Sequence, residues 1–134
     1  MNNGNSADGA RMARLWILIA VVYLLAGTTF GVIMGMTQTL QYAPVHAHIN
    51  LLGWATLALT GIIYKLYPAA ATSRLGKVHF WSYNLTLPLL MVALYLYFGG
   101  NGSLAPVMGI LSIIVVLSLL LFAVNLFMNT KGQS

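Results

Sequence analysis

Pro44-Val45-His46-Ala47-His48-Ile49-Asn50-Leu51-Leu52-Gly53-Trp54 sets two imidazoles at the head of an apolar run that continues to Tyr67. A run of this kind reads as a membrane-crossing helix, which needs about 20 mostly apolar residues. Two histidines at the mouth of such a helix are costly to bury unless they ligate, hydrogen-bond or move protons. The second span is therefore about 45–67, and three similar runs accompany it, at about 15–36, 78–98 and 104–128. The chain reads as an all-α integral membrane protein with one four-helix transmembrane domain over 11–134. The polar, Gly/Asn-rich stretch 1–10 reads as a flexible cytoplasmic tail. It is not a secretory signal, because the apolar run after it is too long and no small-x-small site follows.

Composition supports this class. Of 134 residues, 60% are hydrophobic and 5% charged, against about 25% charged in soluble domains; the mean hydropathy is +0.86. The net charge of +5 is spread among the hydrophobic runs, so topology explains it and no nucleic-acid partner is expected. The absence of cysteine excludes disulfides, thiolate metal sites and covalent c-type haem. Asp8 is the one acid, so the intramembrane carboxylate relay of a proton pump is missing. Imidazole, amide and hydroxyl groups supply nearly all the interior polar chemistry.

The basic residues alternate with the spans. Arg11 and Arg14 precede the first, Lys65, Arg74 and Lys77 bracket the turn between the second and third, and Lys131 follows the fourth. The other two loops, 37–44 and 99–105, carry no charge. The positive-inside rule then puts both termini in the cytoplasm of a bacterial inner membrane, with His46 and His48 near the outer face and His79 near the inner one. Pro44 and Pro106 suit first helical turns, Pro68 ends the second span, and Pro88 is expected to kink the third.

Gly27, Gly31 and Gly35 form two overlapping Gly-x-x-x-Gly steps on the first span. That spacing serves either close helix packing or a groove for a flat macrocycle. On a regular second helix His46 shares a face with Asn50, Gly53, Gly61 and Tyr64, while His48 points about 200° away. The two therefore cannot both ligate one ion from a regular helix. His79, beside Phe80 and Trp81, reads as an interfacial histidine and a low-weight ligand candidate. Asn84 and Asn125 read as interhelical hydrogen-bond donors, and Thr28, Thr29, Thr60, Ser112 and Ser118 as bonding back one turn.

The segment from His46 to Gly61-Ile62-Ile63-Tyr64-Lys65-Leu66-Tyr67-Pro68 resembles the second helix of haem–copper oxidase subunit I, the nitric oxide reductase branch in particular. His79-Phe80-Trp81-Ser82-Tyr83-Asn84-Leu85-Thr86-Leu87-Pro88 resembles the third helix of that superfamily. The likeness spans about residues 15–100 and suggests a stand-alone relative of the first four helices of a twelve-helix subunit. His-Ala-His is also similar to a motif in haem- and copper-containing membrane proteins involved in nitric oxide resistance.

The resemblance implies haem b, with His48 or His46 as the axial iron ligand and Asn50, Gly53, Gly27, Gly31 and Gly35 around it. The other ligands of that superfamily, the copper site and the redox tyrosine lie on helices this chain lacks. A complete oxidase or reductase is therefore not expected, and no catalytic residue is named. A homodimer or higher even oligomer would supply the second ligand, because an isologous contact offers the same residue twice. Electron transfer with a quinone or cytochrome partner, or gas sensing at a five-coordinate haem, would follow. Two other classes remain: a cofactor-free accessory subunit docking on a larger oxidase through its glycine face, and a copper or zinc site built from His46 and His48 of adjacent protomers.

Overall fold

The computed structural model describes residues 3–130, with side chains from Ser6 onward; Lys131 lies outside the described residues. It is almost entirely helical. The elements are α1 (Asn3–Thr37), a 3₁₀ turn (Leu40–Tyr42), α2 (Ala43–His48), a π-helical segment (Ile49–Ala55), α3 (Thr56–Leu66), α4 (Pro68–Thr72), α5 (Arg74–Phe98), a 3₁₀ turn (Gly102–Leu104) and α6 (Ala105–Asn129). Four stretches are long and apolar enough to cross a membrane: Ser6–Thr37, Leu40–Leu66, Arg74–Phe98 and Gly102–Asn129. They coincide with the four hydrophobic runs of the sequence.

Two features go beyond the sequence reading. Of the stretch expected to be a flexible tail, residues 3–10 are helical, because α1 starts at Asn3. Gly9 permits this, since a Cβ there would lie 2.6 Å from the Cβ of Pro68, so the start of α1 packs directly against α4. The second span is also not one regular helix: α2, the π segment and α3 run on continuously. A π turn widens the helix by one residue, and Thr56 accordingly donates its backbone N–H, and its hydroxyl at 2.8 Å, to the carbonyl of Leu51 five residues back. Tyr83 of α5 donates to the neighbouring Leu52 carbonyl at 3.0 Å, which ties the widened turns to the third span.

The bundle is two antiparallel pairs: α1 lies along the second span, and α5 along α6. In α5, 44% of the apolar window is buried, against 11% in α1 and in α6. α5 is thus the core helix, and the outer faces of α1 and α6 are rows of exposed Val, Leu and Ile, the surface that lipid would cover. It passes Pro88 without a break. Tight turns are capped as their sequences dictate: Pro44, Pro68 and Pro106 sit in first turns, and the Ser73 hydroxyl accepts from Gly76 N at 2.9 Å to start α5. Gly76 has the carbonyls of Ala70 and Ala71 where a Cβ would stand, which lets α4 fold under the start of α5.

The glycines of α1 differ in role. A Cβ on Gly31 would stand 2.6 Å from His46 Cε1, and one on Gly27 would stand 2.7 Å from the amide of Asn50. Gly35 has nothing within 4 Å. Gly31→Ala should therefore lower stability by about 1–3 kcal/mol, by pushing the imidazole out of a packed contact. Gly35→Ala should be neutral or raise stability by up to about 1 kcal/mol, through helix propensity alone. Denaturation of the two variants in mixed micelles checks this, and equal losses would contradict the assignment.

Candidate functional site

The three histidines fall at opposite ends of the bundle. His46 and His48 occupy the first turns of the second span, at the uncharged end. His79 lies among the basic residues at the other end, against Tyr64, 18 positions after His46 in the chain, or roughly 25 Å along a helix. Among the described residues no group of three or more His, Cys, Asp or Glu side chains comes together.

At the uncharged end, His46 and Asn50 fill the glycine face of α1. His46 Nδ1 lies 3.0 Å from the Gly27 carbonyl. A carbonyl can only accept, so Nδ1 carries the proton and Nε2 keeps its lone pair in the neutral ring. Asn50 Nδ2 donates to the His46 carbonyl at 2.9 Å and not to Nδ1, 3.4 Å away, because that nitrogen is already a donor. Gly53 receives the ring of Tyr23 and Gly61 meets Ile17 and Trp16, so the face shared by His46, Asn50, Gly53 and Gly61 is the one that packs on α1. The close-packing role of Gly27 and Gly31 is realised within one chain, while Gly35 packs against nothing.

His48 takes no part in that seam. Its Nδ1 donates to the Pro44 carbonyl one turn back at 2.7 Å, and its ring is half-buried. Here too the backbone fixes the tautomer and leaves Nε2 as the lone-pair nitrogen. Ala47 and Leu51 beside it are exposed. Holding Nδ1–H on a carbonyl while Nε2 keeps its lone pair is the arrangement that metal-ligating histidines use.

The basic end holds what the sequence reading missed. His79 does not face outward from the bundle: it is fully buried. Trp16 stacks on it at 4.7 Å between centroids and Phe122 at 5.1 Å, with Tyr64 and Tyr83 edge-on. Its Nδ1 lies 3.0 Å from the Tyr64 hydroxyl, which accepts from Asn125 Nδ2 at 3.1 Å. The phenol hydrogen has Nδ1 as its acceptor, so the neutral imidazole carries its own proton on Nε2, and that atom is buried without a partner. Trp16 Nε1 is likewise buried and unpartnered.

Asn125 extends the chain of bonds. Its Nδ2 also donates to the Ala70 carbonyl at 2.9 Å, and its Oδ1 accepts from Ser73 at 2.7 Å and Asn129 at 2.8 Å. Asn125 is the interhelical donor expected. Asn84 is not: its Nδ2 bonds within α5 to the Phe80 carbonyl at 2.9 Å. Thr28 bonds back to the Leu24 carbonyl at 2.7 Å as expected, whereas Ser118 bonds across to Ser82. The sequence shows the shared level of this cluster's residues but not their contact. Trp16, Tyr64, His79, Phe122 and Asn125 each lie within a few turns of the same end of their spans.

Comparison with known families, with characterised proteins and with solved structures gives no match. The assignment of a function therefore rests on this chain's own geometry.

Tyr64→Phe should cost about 1–3 kcal/mol, since it strands a buried imidazole nitrogen. Combined with Asn125→Leu, the loss should fall short of the sum of the two single losses by at least about 0.5 kcal/mol, because the two side chains belong to one network. A double-mutant cycle of unfolding free energies in micelles measures the coupling, and strict additivity would exclude a shared network.

Proposed function

We propose that this chain is a multi-pass inner-membrane haem b protein in which His48 supplies an axial imidazole to iron shared between two copies. The observation that carries this reading is the Nδ1 bond to Pro44, which leaves the Nε2 lone pair without a hydrogen-bond partner among the described residues. The residues fit such a group in chemical type: an oriented neutral imidazole, an apolar surround that includes Leu51, no thiolate in the chain, and its one acid, Asp8, at the opposite end. When bound, the haem would supply one-electron chemistry or an axial position for a small gas, with its potential set by ligand and surroundings.

The chain's own residues then divide the work. Pro44 fixes the tautomer and direction of His48, and the α1 seam with its His46–Gly27 bond holds that turn in place. The π segment beginning at Ile49 sets the angle at which this turn meets the rest of the span. A second copy related by a two-fold axis would bring the partner ligand. With both termini cytoplasmic, as the charge pattern favours, the site would lie near the outer face and meet a redox partner there.

A cofactor-free accessory subunit is the second reading, favoured by the broad exposed apolar faces of α1 and α6. The absorption spectrum of the full chain, purified in mild detergent from a haem-sufficient bacterium, separates the two. A Soret band with sharp reduced α and β bands should appear in the native chain and in His79→Phe, and vanish in His48→Ala. His48 bonds only within its own turn, so its removal leaves the fold intact. Haem retained at full occupancy in His48→Ala would overturn the assignment of the ligand. A colourless native protein would favour the accessory reading, unless stoichiometric copper or zinc were found in it.

A further inference from the structure

The basic end of the bundle carries a cavity of about 580 Å³ between the start of α1, α4 and the start of α5, within the roughly 300–1,000 Å³ range of small-molecule sites. Its walls are of two kinds. Arg11, Lys77, Ser73 and Asn129 present two cations, a hydroxyl and an amide, with Asp8 as the one acid, while Leu15 and Trp81 make an apolar wall that is itself exposed. Neither Arg11 nor Lys77 forms an ion pair among the described residues, so the cavity keeps a net positive lining. Its polar wall is rigid, because Ser73 and Asn129 are both bonded to the buried Asn125.

The position of the two cations identifies the occupant. Arg11 lies one turn before Leu15, where the apolar part of α1 begins, and Lys77 directly precedes Val78, where that of α5 begins. With these helices in a bilayer, both charges stand at the level of the lipid phosphates, and the exposed Leu15–Trp81 wall leads from them into the acyl region. Basic pockets between helices at that depth bind anionic headgroups.

We infer that this cavity is a binding site for an anionic phospholipid, with the headgroup phosphate between Arg11 and Lys77 and an acyl chain along Leu15 and Trp81. A soluble phosphate would use the cations but gain nothing from the apolar wall. The inference needs the helices to lie in a bilayer and is independent of haem.

The test is native mass spectrometry of the full chain in neutral detergent, titrated with phosphatidylglycerol or with phosphatidylcholine of the same acyl chains. Phosphatidylglycerol should bind in preference. Arg11→Gln/Lys77→Gln, two exposed positions, should weaken it by about thirtyfold, each cation contributing about fivefold. Arg14→Gln/Lys65→Gln removes two charges from the same end but outside the cavity and should change binding by less than about threefold. Equal weakening by both pairs would overturn the site in favour of diffuse surface charge. No preference between the two lipids would overturn it outright. Displacement of the lipid by millimolar inorganic phosphate would overturn the lipid assignment in favour of a free-anion site.

Discussion

A carboxamide buried away from water must find its partners inside the protein, and the fold turns on how the fully buried Asn125 does so. From the last turns of α6 its amide reaches the Tyr64 hydroxyl on α3 and the Ala70 carbonyl on α4, and accepts from Ser73, the residue that starts α5. One side chain thereby registers four helical elements. Interhelical hydrogen bonds in membranes each contribute modestly, about 0.6–2 kcal/mol. Their larger effect is on specificity, since any sliding or rotation of α6 strands the amide and the imidazole behind Tyr64 together.

The two ends of the bundle are built on different physics. At the uncharged end, backbones approach closely: glycines on α1 give up their side-chain space to His46 and Asn50, and the helices meet through van der Waals contact and bonds to carbonyls. At the basic end, bulky rings surround one imidazole and a polar chain crosses between helices. The first kind of contact leaves the histidine nitrogen that is not bonded to backbone as an acceptor. The second makes the equivalent nitrogen of His79 a buried donor. The same residue type is thus set in opposite tautomers by whether a carbonyl or a phenol meets Nδ1.

This contrast also explains what the sequence disclosed. Hydropathy exposed the four spans because each is a long, nearly unbroken apolar run, and the Gly27–Gly31 face was legible because close packing has a fixed spacing. The burial of His79 was not. It depends on Trp16 reaching it from α1 and Phe122 from α6, contacts between distant segments that no local pattern encodes. Its place beside Lys77 and Trp81 reads as that of a side chain turned toward the surface. The helical start of α1 was hidden for a related reason: polar, glycine-containing sequence has low helix propensity on its own, and what holds it is the packing of Gly9 on Pro68, visible only once α4 is folded against it. The π segment had no sequence signature, and it is supported by Tyr83 from another span.

Two histidines separated by one residue on one helix invite reading as a pair, but their surroundings separate them. His46 is spent on the seam: its Nδ1 closes on Gly27, and its ring occupies the volume that Gly31 vacates, so its loss would be felt first as loosened packing. His48 is held by its own helix alone, and no neighbouring span bonds to it. For a ligand shared between copies this is the more suitable of the two, since the fold does not depend on it and its Nε2 is not committed within the chain. An isologous contact over that face would offer one such residue per chain, which is what the proposed shared ligand requires.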